Sequence, residues 1–216
     1  MDLYIVRHGQ TKANTRHIYQ RPNEPITREG SAEIARLVRT VTELQPTHLY
    51  TSHFARARQT AHYLSYATEL EAQWLPLVSE LYPPEHLFGK RHYGLTSLVY
   101  LLRWFFHALK KGVEEKAETR AEFTKRLFDA REFFEAHEDA DRIVVVTHSV
   151  FANFFVAHLC TNRELSVWRA VPLFLKIVWY ENAGITHVEY QRSDDARRCG
   201  WRMRSFNQHQ HLHLED

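Results

Sequence analysis

Two rhythms of apolar and polar residues alternate along the chain. Short runs rich in β-branched and aromatic residues, at 2–6, 48–51 and 142–147, predict strands. The continuous apolar run Ile143 to Val146 suits the centre of a sheet. Between these runs apolar residues return at helical spacing. Ile34, Leu37, Val38, Val41 and Leu44 share one face behind Thr27, a predicted N-cap with Gly30 in the first turn, and Pro46 stops the helix. Further helices are predicted at 55–67, at the aromatic 96–110, at 113–138 with Phe123, Leu127, Phe128, Phe133 and Phe134 as core candidates, and at 150–159. An edge-like strand at 74–77, despite its proline, and late strands at 173–180, 184–190 and 201–206 complete the pattern. Residues 9–30 read as a long polar loop placed to fold over the end of the first strand, and 80–95 as a second loop. Strands alternating with helices predict an α/β layered fold. With no repeat or linker, residues 1–216 are expected to form a single domain.

Composition narrows the class. Hydrophobic residues make up 44% and charged residues 25%, ordinary values for a globular protein. The net charge of +2 is spread along the chain, which argues against a nucleic-acid surface but leaves room for a small anionic ligand. Two cysteines, Cys160 and Cys199, are too few for a disulfide framework, so a reducing compartment is expected. No signal peptide is read at the N-terminus, and no apolar run reaches the ~20 residues of a membrane span. A cytoplasmic protein without membrane or nucleic-acid partners is the expectation; oligomeric state is open.

The chemistry gathers at strand ends. Arg7-His8-Gly9-Gln10-Thr11 follows the first strand, Arg56 lies in the first helical turn after the second, and His148 follows the most apolar one. In open α/β sheets ligands bind at the carboxyl ends of strands. Gly9 is expected to let the chain turn sharply and to keep a side chain away from the imidazole. A phosphoryl group presents three anionic oxygens, which suit guanidinium forks, imidazoles and helix N-termini around one point. An imidazole can attack phosphorus in line and divide one displacement into two, and nearby arginines keep it unprotonated. A carboxylic acid must protonate the leaving oxygen and later activate water, and Glu80 is the candidate.

These pieces, together with I-T-R-E-G at 26–30, S-H-F-A-R-A-R-Q-T-A at 52–61 and V-V-V-T-H-S at 144–149, resemble the histidine phosphatase (phosphoglycerate-mutase-like) superfamily in order and spacing across nearly the whole chain. The ending W-R-M-R-S-F-N-Q-H-Q-H-L is similar to the tail of its small bacterial phosphatase branch. The resemblance implies a three-layer αβα sandwich with a mostly parallel sheet, a cap insertion around 80–112, and no metal or cofactor. It implies His8 as the phosphorylated nucleophile, Arg7, Arg56 and His148 as the phosphate pocket, Asn14 as a loop ligand of phosphate and Glu80 as proton donor.

There are departures. Ser149 stands where the family usually has glycine, and offers a backbone N–H with a side chain that intrudes on the pocket. Arg21 replaces a common glycine after Gln20, so both are expected to contact substrate. The proline-containing acid loop makes Glu85 the fallback acid. The expected activity is hydrolysis of a small phosphate monoester through a phosphohistidine. The rivals are a cofactor-dependent phosphoglycerate mutase-type phosphotransferase and a catalytically weak phosphate-binding or interaction module. Residues 80–112 offer Arg91 and Arg103 singly among aromatic residues, which favours hydrolysis of a bulkier or less acidic substrate. Arg58 is expected on a solvated face, and Trp104-Phe105-Phe106 in core or interface. His209, His211 and His213 are expected in a flexible tail.

Overall fold

In the computed structural model, residues 1–106, 117–176, 180–192 and 198–212 are described. The elements in chain order are β1 (Asp2–Arg7), α1 (Lys12–Arg16), α2 (Arg28–Glu43), β2 (His48–Thr51), α3 (Ala55–Thr68), β3 (Ala72–Trp74), α4 (Leu95–Phe105), α5 (Arg120–Glu135), β4 (Arg142–Thr147), α6 (Ser149–His158), α7 (Val167–Lys176), β5 (Ile185–Tyr190) and β6 (Trp201–Gln208).

The strands form one sheet in the order β3-β2-β4-β1-β5-β6. Pairing is parallel from β3 through β2 and β4 to β1, and antiparallel where β5 joins β1 and β6 joins β5. Alternation along the central strands explains the layers. Leu3, Ile5, Ile143 and Val145 point to one face, where they pack with Trp104, Phe123, Leu127, Phe134, Phe151 and Phe155 from α4, α5 and α6. Val6, Val144 and Val146 point to the other, against Leu37 and Val41 of α2 and Ala57, Ala61 and Leu64 of α3. The αβα sandwich is therefore present.

Register then assembles the site. Arg7 pairs with Thr147, and Thr51 with Val146, so His8 and His148 leave adjacent strands at one level, with Ser52 of the third strand one residue behind. The chain after β1 leads to α2 on one face and the chain after β4 to α6 on the other. Such divergence opens a crevice at the strand ends.

Several expectations need correction. The 9–30 loop contains α1, closed by a capping box in which Thr11 and Asn14 bond each other's backbone N–H. The predicted strand at 74–77 ends at Trp74, because Pro76, which cannot donate to a ladder, starts a 3₁₀ turn over Pro76–Val78. Residues 173–176 belong to α7, not to a strand: Val167, Ala170, Val171 and Phe174 recur at i, i+3, i+4 and i+7 and pack on the core. Residues 177–179 of that prediction lie outside the described residues, as do 107–110 of the 96–110 helix and 113–116 of the 113–138 helix. Of the C-terminal histidines, His211 is buried in a 3₁₀ turn with Nε2 3.0 Å from the Ala183 carbonyl, so the chain is packed there; His213 lies outside the described residues. Cys160 and Cys199, expected as free thiols, form a disulfide between the end of α6 and the segment before β6. Among the described residues no helix is long and apolar enough to cross a membrane.

Candidate active site

His8 is buried directly after β1. Its Nδ1 lies 2.8 Å from the Gly9 carbonyl, and Arg56 donates Nε–H to its Nε2 at 3.1 Å. Arg56 Nε can only donate, so Nε2 is the bare nitrogen and Nδ1 carries the proton. The Nε2 lone pair faces the Arg56 guanidinium. Burial, reinforced by the Arg56 and Arg7 charges, holds its pKa well below the ordinary histidine value. A neutral nucleophilic imidazole is the form this environment selects.

The tight seat of this loop comes from two glycines. A Cβ on Gly9 would stand 2.7 Å from the Gly30 carbonyl oxygen and 2.8 Å from Ile34 Cδ1, and one on Gly30 would stand 2.4 Å from the Gln10 carbonyl oxygen. Gly9 is thus required for close approach to α2, not for freedom to turn or space beside the imidazole, as the sequence had suggested.

Arg7 and Arg56 are buried too. Burial lowers both pKa values, that of Arg56 to about 10, with Glu80 opposing the loss of charge in each case. Arg56 also donates from Nη1 to the Arg21 carbonyl at 3.1 Å and sits 4.9 Å over the Phe54 ring. Arg7 Nε has no hydrogen-bond partner among the described residues. The His148 ring centroid stands 5.1 Å from that of His8. Its Nε2 lies 2.8 Å from Ser52 Oγ, and its buried Nδ1 has no partner among the described residues. Burial first, then Arg56, His8 and Arg7, keep this ring neutral as well.

Glu80 caps α6 from outside the helix. Its carboxylate accepts from Val150 N–H at 3.2 Å, Phe151 N–H at 2.9 Å and Leu81 N–H at 3.1 Å. Burial raises its pKa above the usual carboxylate value, against these donors and Arg56. Arg126 holds the acid loop by donating to the Leu77 and Ser79 carbonyls at 2.9 and 2.6 Å, and is itself gripped by Glu118 through two 2.7 Å bonds.

A cavity of about 350 Å³ opens beside these groups, and the buried His8 and His148 are not among the residues that line it. Arg7, Arg56, Glu80, Asn14, Gln20 and Ser149 all line it. Asn14 Oδ1 is taken by Thr11, and Gln20 Oε1 accepts from the Thr11 hydroxyl at 2.9 Å. The rest of the wall is largely aromatic and aliphatic, with Tyr19, Phe54, Tyr82, Phe88, Tyr100 and Phe174. Among the described lining residues Arg7 and Arg56 are the arginines, and no lysine is present.

Two expected residues stand elsewhere. The Arg21 guanidinium rests 5.7 Å over the Phe88 ring on the exposed side, so its contribution to the site is the carbonyl that holds Arg56. Glu85 is exposed and outside the cavity lining. His92 also lines the cavity, its pKa pushed down to about 4 by burial. Arg58 stacks 5.2 Å over Trp74 on the surface. Ser52, Ser79, His53, Tyr82, Glu118 and Arg126 were missed: nothing local in the chain marks their partners, which lie 26 to 96 residues away or, for Glu118 and Arg126, across a helix cap.

The family model described as the histidine phosphatase superfamily (branch 1) matches residues 3–207. The chain belongs to this superfamily. Its curated relatives include the "Probable phosphoglycerate mutase GpmB" of Shigella boydii, 26% identical over 198 residues covering 89% of this chain and 86% of the relative. Another is the adenosylcobalamin/alpha-ribazole phosphatase of Salmonella typhimurium, 26% identical over 180 residues covering 78% and 84%. Among solved structures, a phosphoserine phosphatase mutant from Entamoeba histolytica in complex with phosphoserine superposes with a TM-score of 0.73 at 17% identity, covering 98% of both chains. The alpha-ribazole phosphatase from Shigella flexneri superposes at 0.71 and 17%, covering 97% of both. These structures establish the fold.

Proposed function

We propose that the protein is a metal-independent phosphomonoester hydrolase working through a phosphohistidine on His8. The observation that carries this reading is the His8 ring itself, neutral, with Nδ1–H fixed on the Gly9 carbonyl and bare Nε2 against Arg56. In the first step Nε2 attacks phosphorus, the P–O ester bond breaks, and the leaving oxygen takes the proton of the Glu80 carboxyl group. Arg56, keeping its proton, redirects its Nε–H hydrogen bond from the ring to a phosphoryl oxygen as the substrate enters, and Arg7 and His148 donate to the others. In the second step water attacks phosphorus and gives its proton to Glu80, and His8 leaves as the neutral ring with inorganic phosphate released. Asn14, Gln20 and the Ser149 backbone N–H border the same space.

The cavity wall supports a substrate class as well. A leaving group that carries its own carboxylate or second phosphate needs further cations, whereas the aromatic wall favours an uncharged aromatic or apolar alcohol. This separates the reading from a phosphoglycerate mutase, which must hold a carboxylate while the phosphoryl group is returned. Cytoplasmic action is part of the proposal; the Cys160–Cys199 disulfide is the observation that bears against it, and recovery of the chain from an oxidising compartment on cell fractionation would overturn it.

The test is phosphate release over a panel of monoesters with EDTA present, paired with acid-labile, base-stable labelling of the chain. Naphthyl phosphate is expected to exceed 3-phosphoglycerate in kcat/KM, with label and turnover both lost in His8→Ala. Isomerisation of 3-phosphoglycerate without phosphate release would replace this reading with the mutase.

A further inference from the structure

An unbroken run of hydrogen bonds joins His148 to the cavity wall. From His148 Nε2 it passes 2.8 Å to Ser52 Oγ, 3.3 Å to Ser79 Oγ and 2.9 Å to His53 Nδ1. From His53 Nε2 it reaches the Tyr82 hydroxyl at 2.6 Å. Ser52 and His53 follow β2, Ser79 directly precedes Glu80, and Tyr82 lines the cavity. Ser52 and Ser79 are fully buried between the two imidazoles.

Every inner member of this run both gives and takes a hydrogen, since a hydroxyl does both and a neutral imidazole has one donor and one acceptor nitrogen. Such a run has two self-consistent orders. With Ser52 donating to Ser79, His148 must donate Nε2–H to Ser52, and its Nδ1 is a bare, buried lone pair. In the reverse order Tyr82 donates to His53, His53 to Ser79, Ser79 to Ser52 and Ser52 to His148 Nε2. The proton of His148 then sits on Nδ1.

Nε2 is occupied by Ser52 in both orders, so Nδ1 is the nitrogen that His148 has left for a ligand. A bare lone pair repels a phosphoryl oxygen, and an N–H attracts it. We propose that a phosphoryl anion beside His8 selects the reverse order, so that Ser52, Ser79, His53 and Tyr82 are positioning residues that place the His148 proton on Nδ1. The protons balance: one enters at Nδ1 from water that arrives with the anion, each inner proton moves one place along the run, and the Tyr82 hydroxyl releases one to the cavity. The wire also links the phosphate end of the site to a wall residue of the leaving-group chamber. Burial beside Arg56 keeps His148 neutral, and burial together with Arg126 and Arg58 lowers the His53 pKa, as a two-order wire requires.

The proposal rests on the reading of His8 and His148 as the phosphoryl site, and the experiment separates the two. The full chain is labelled with ¹⁵N-histidine, His148 is assigned by comparison with His148→Gln, and inorganic phosphate is titrated in. Phosphate is expected to move the His148 proton from Nε2 to Nδ1. Ser52→Ala is expected to abolish that shift and weaken phosphate binding about tenfold, the scale of one charge-assisted hydrogen bond, with Ser52→Thr restoring both. Tyr82→Phe, at the cavity edge and harmless to the core, breaks the far end and is expected to reduce the shifted fraction while leaving His8 phosphorylation possible. Phosphate bound with the His148 proton still on Nε2, or an unchanged tautomer shift in both Ser52→Ala and Tyr82→Phe, overturns the wire. Failure of the wild-type chain to bind phosphate near His8 overturns the site reading and the wire with it.

Discussion

Arg56 Nε–H points at His8 Nε2 from 3.1 Å, so a buried guanidinium rests on the atom assigned to attack phosphorus. The contact orients the ring and disfavours its protonation, and it must be exchanged for a phosphoryl oxygen before attack. Arg56→Lys keeps the charge but loses the planar fork that reaches His8 and the Arg21 carbonyl together. The expected outcome is a loss of about 10²-fold in kcat/KM, as for removal of one preorganised donor. Steady-state kinetics with a good leaving group decide it, and a lysine variant at wild-type rate would dismiss the contact as incidental.

In the proposed mechanism Glu80, whose pKa burial raises, must be protonated to release a poor leaving group. Activity is therefore expected to fall as pH rises through its elevated pKa, while His8, held well below its ordinary value, stays nucleophilic on the acid side. Glu80→Gln is expected to remove the alkaline limb for alkyl phosphates and to leave activated aryl esters far less affected. A pH-rate profile of both ester types measures this.

The sheet, its layers and the strand-end residues were legible in the sequence because they follow period-two and period-3.6 patterning and short local motifs. Arg7, His8, Arg56 and His148 could be named since each stands within a few residues of a strand end. What escaped is non-local. Ser52 reads as an ordinary loop serine until β2 is placed beside β4, and Arg126 as a helix-surface charge until the acid loop is seen lying on it. The α7 error has another cause, since Leu173 to Tyr180 is β-branched and aromatic enough to suggest a strand, and packing decided for the helical period over 173–176.

Buried neutral histidines carry a stability signature. The unfolded chain's histidines titrate near 6.5, whereas folding lowers the pKa of both His8 and His148. Above that pH both rings are neutral in either state and stability is at its full value. Below it the unfolded chain binds protons that the native state refuses. Stability then falls by about 1.4 kcal/mol per pH unit for each histidine, down to the folded pKa. His92, lowered to about 4, adds to the same trend, and Glu80, raised on folding, opposes it. Urea midpoints taken from pH 7 to pH 5 are expected to decline, and His148→Asn to decline less steeply. A pH-independent midpoint would contradict neutral burial of these rings.

Arg126 ties Glu118 to the carbonyls of Leu77 and Ser79, so it fixes the loop that aims Glu80 without standing over the phosphoryl site. Arg126→Ala leaves two part-buried carbonyls and the Glu118 carboxylate to find water. The expected cost is about 2–4 kcal/mol of stability. A tenfold fall in kcat with little change in KM is expected alongside, because the acid wanders while the phosphate pocket stays intact. Chemical denaturation and kinetics together check the pairing. Loss of stability without loss of kcat would show that Glu80 is aimed by its three backbone donors alone.

The seat of His8 depends on Gly30 as much as on its own loop. A methyl group there would stand 2.4 Å from the Gln10 carbonyl oxygen and 2.7 Å from the Gln10 nitrogen, both backbone atoms that cannot swing aside. Helix propensity alone would make Gly30→Ala favourable in the first turn of α2, by a few tenths of a kcal/mol up to about 1 kcal/mol. The overlap reverses the sign. A net loss of about 1–3 kcal/mol is expected from forcing the 9–11 backbone away from α2, with a matching shift of His8 against Arg56. Gly94→Ala is the control, since a Cβ there meets nothing within 4 Å. Thermal unfolding of the two variants, with phosphohistidine labelling of each, separates packing at Gly30 from a general intolerance of side chains at glycine positions.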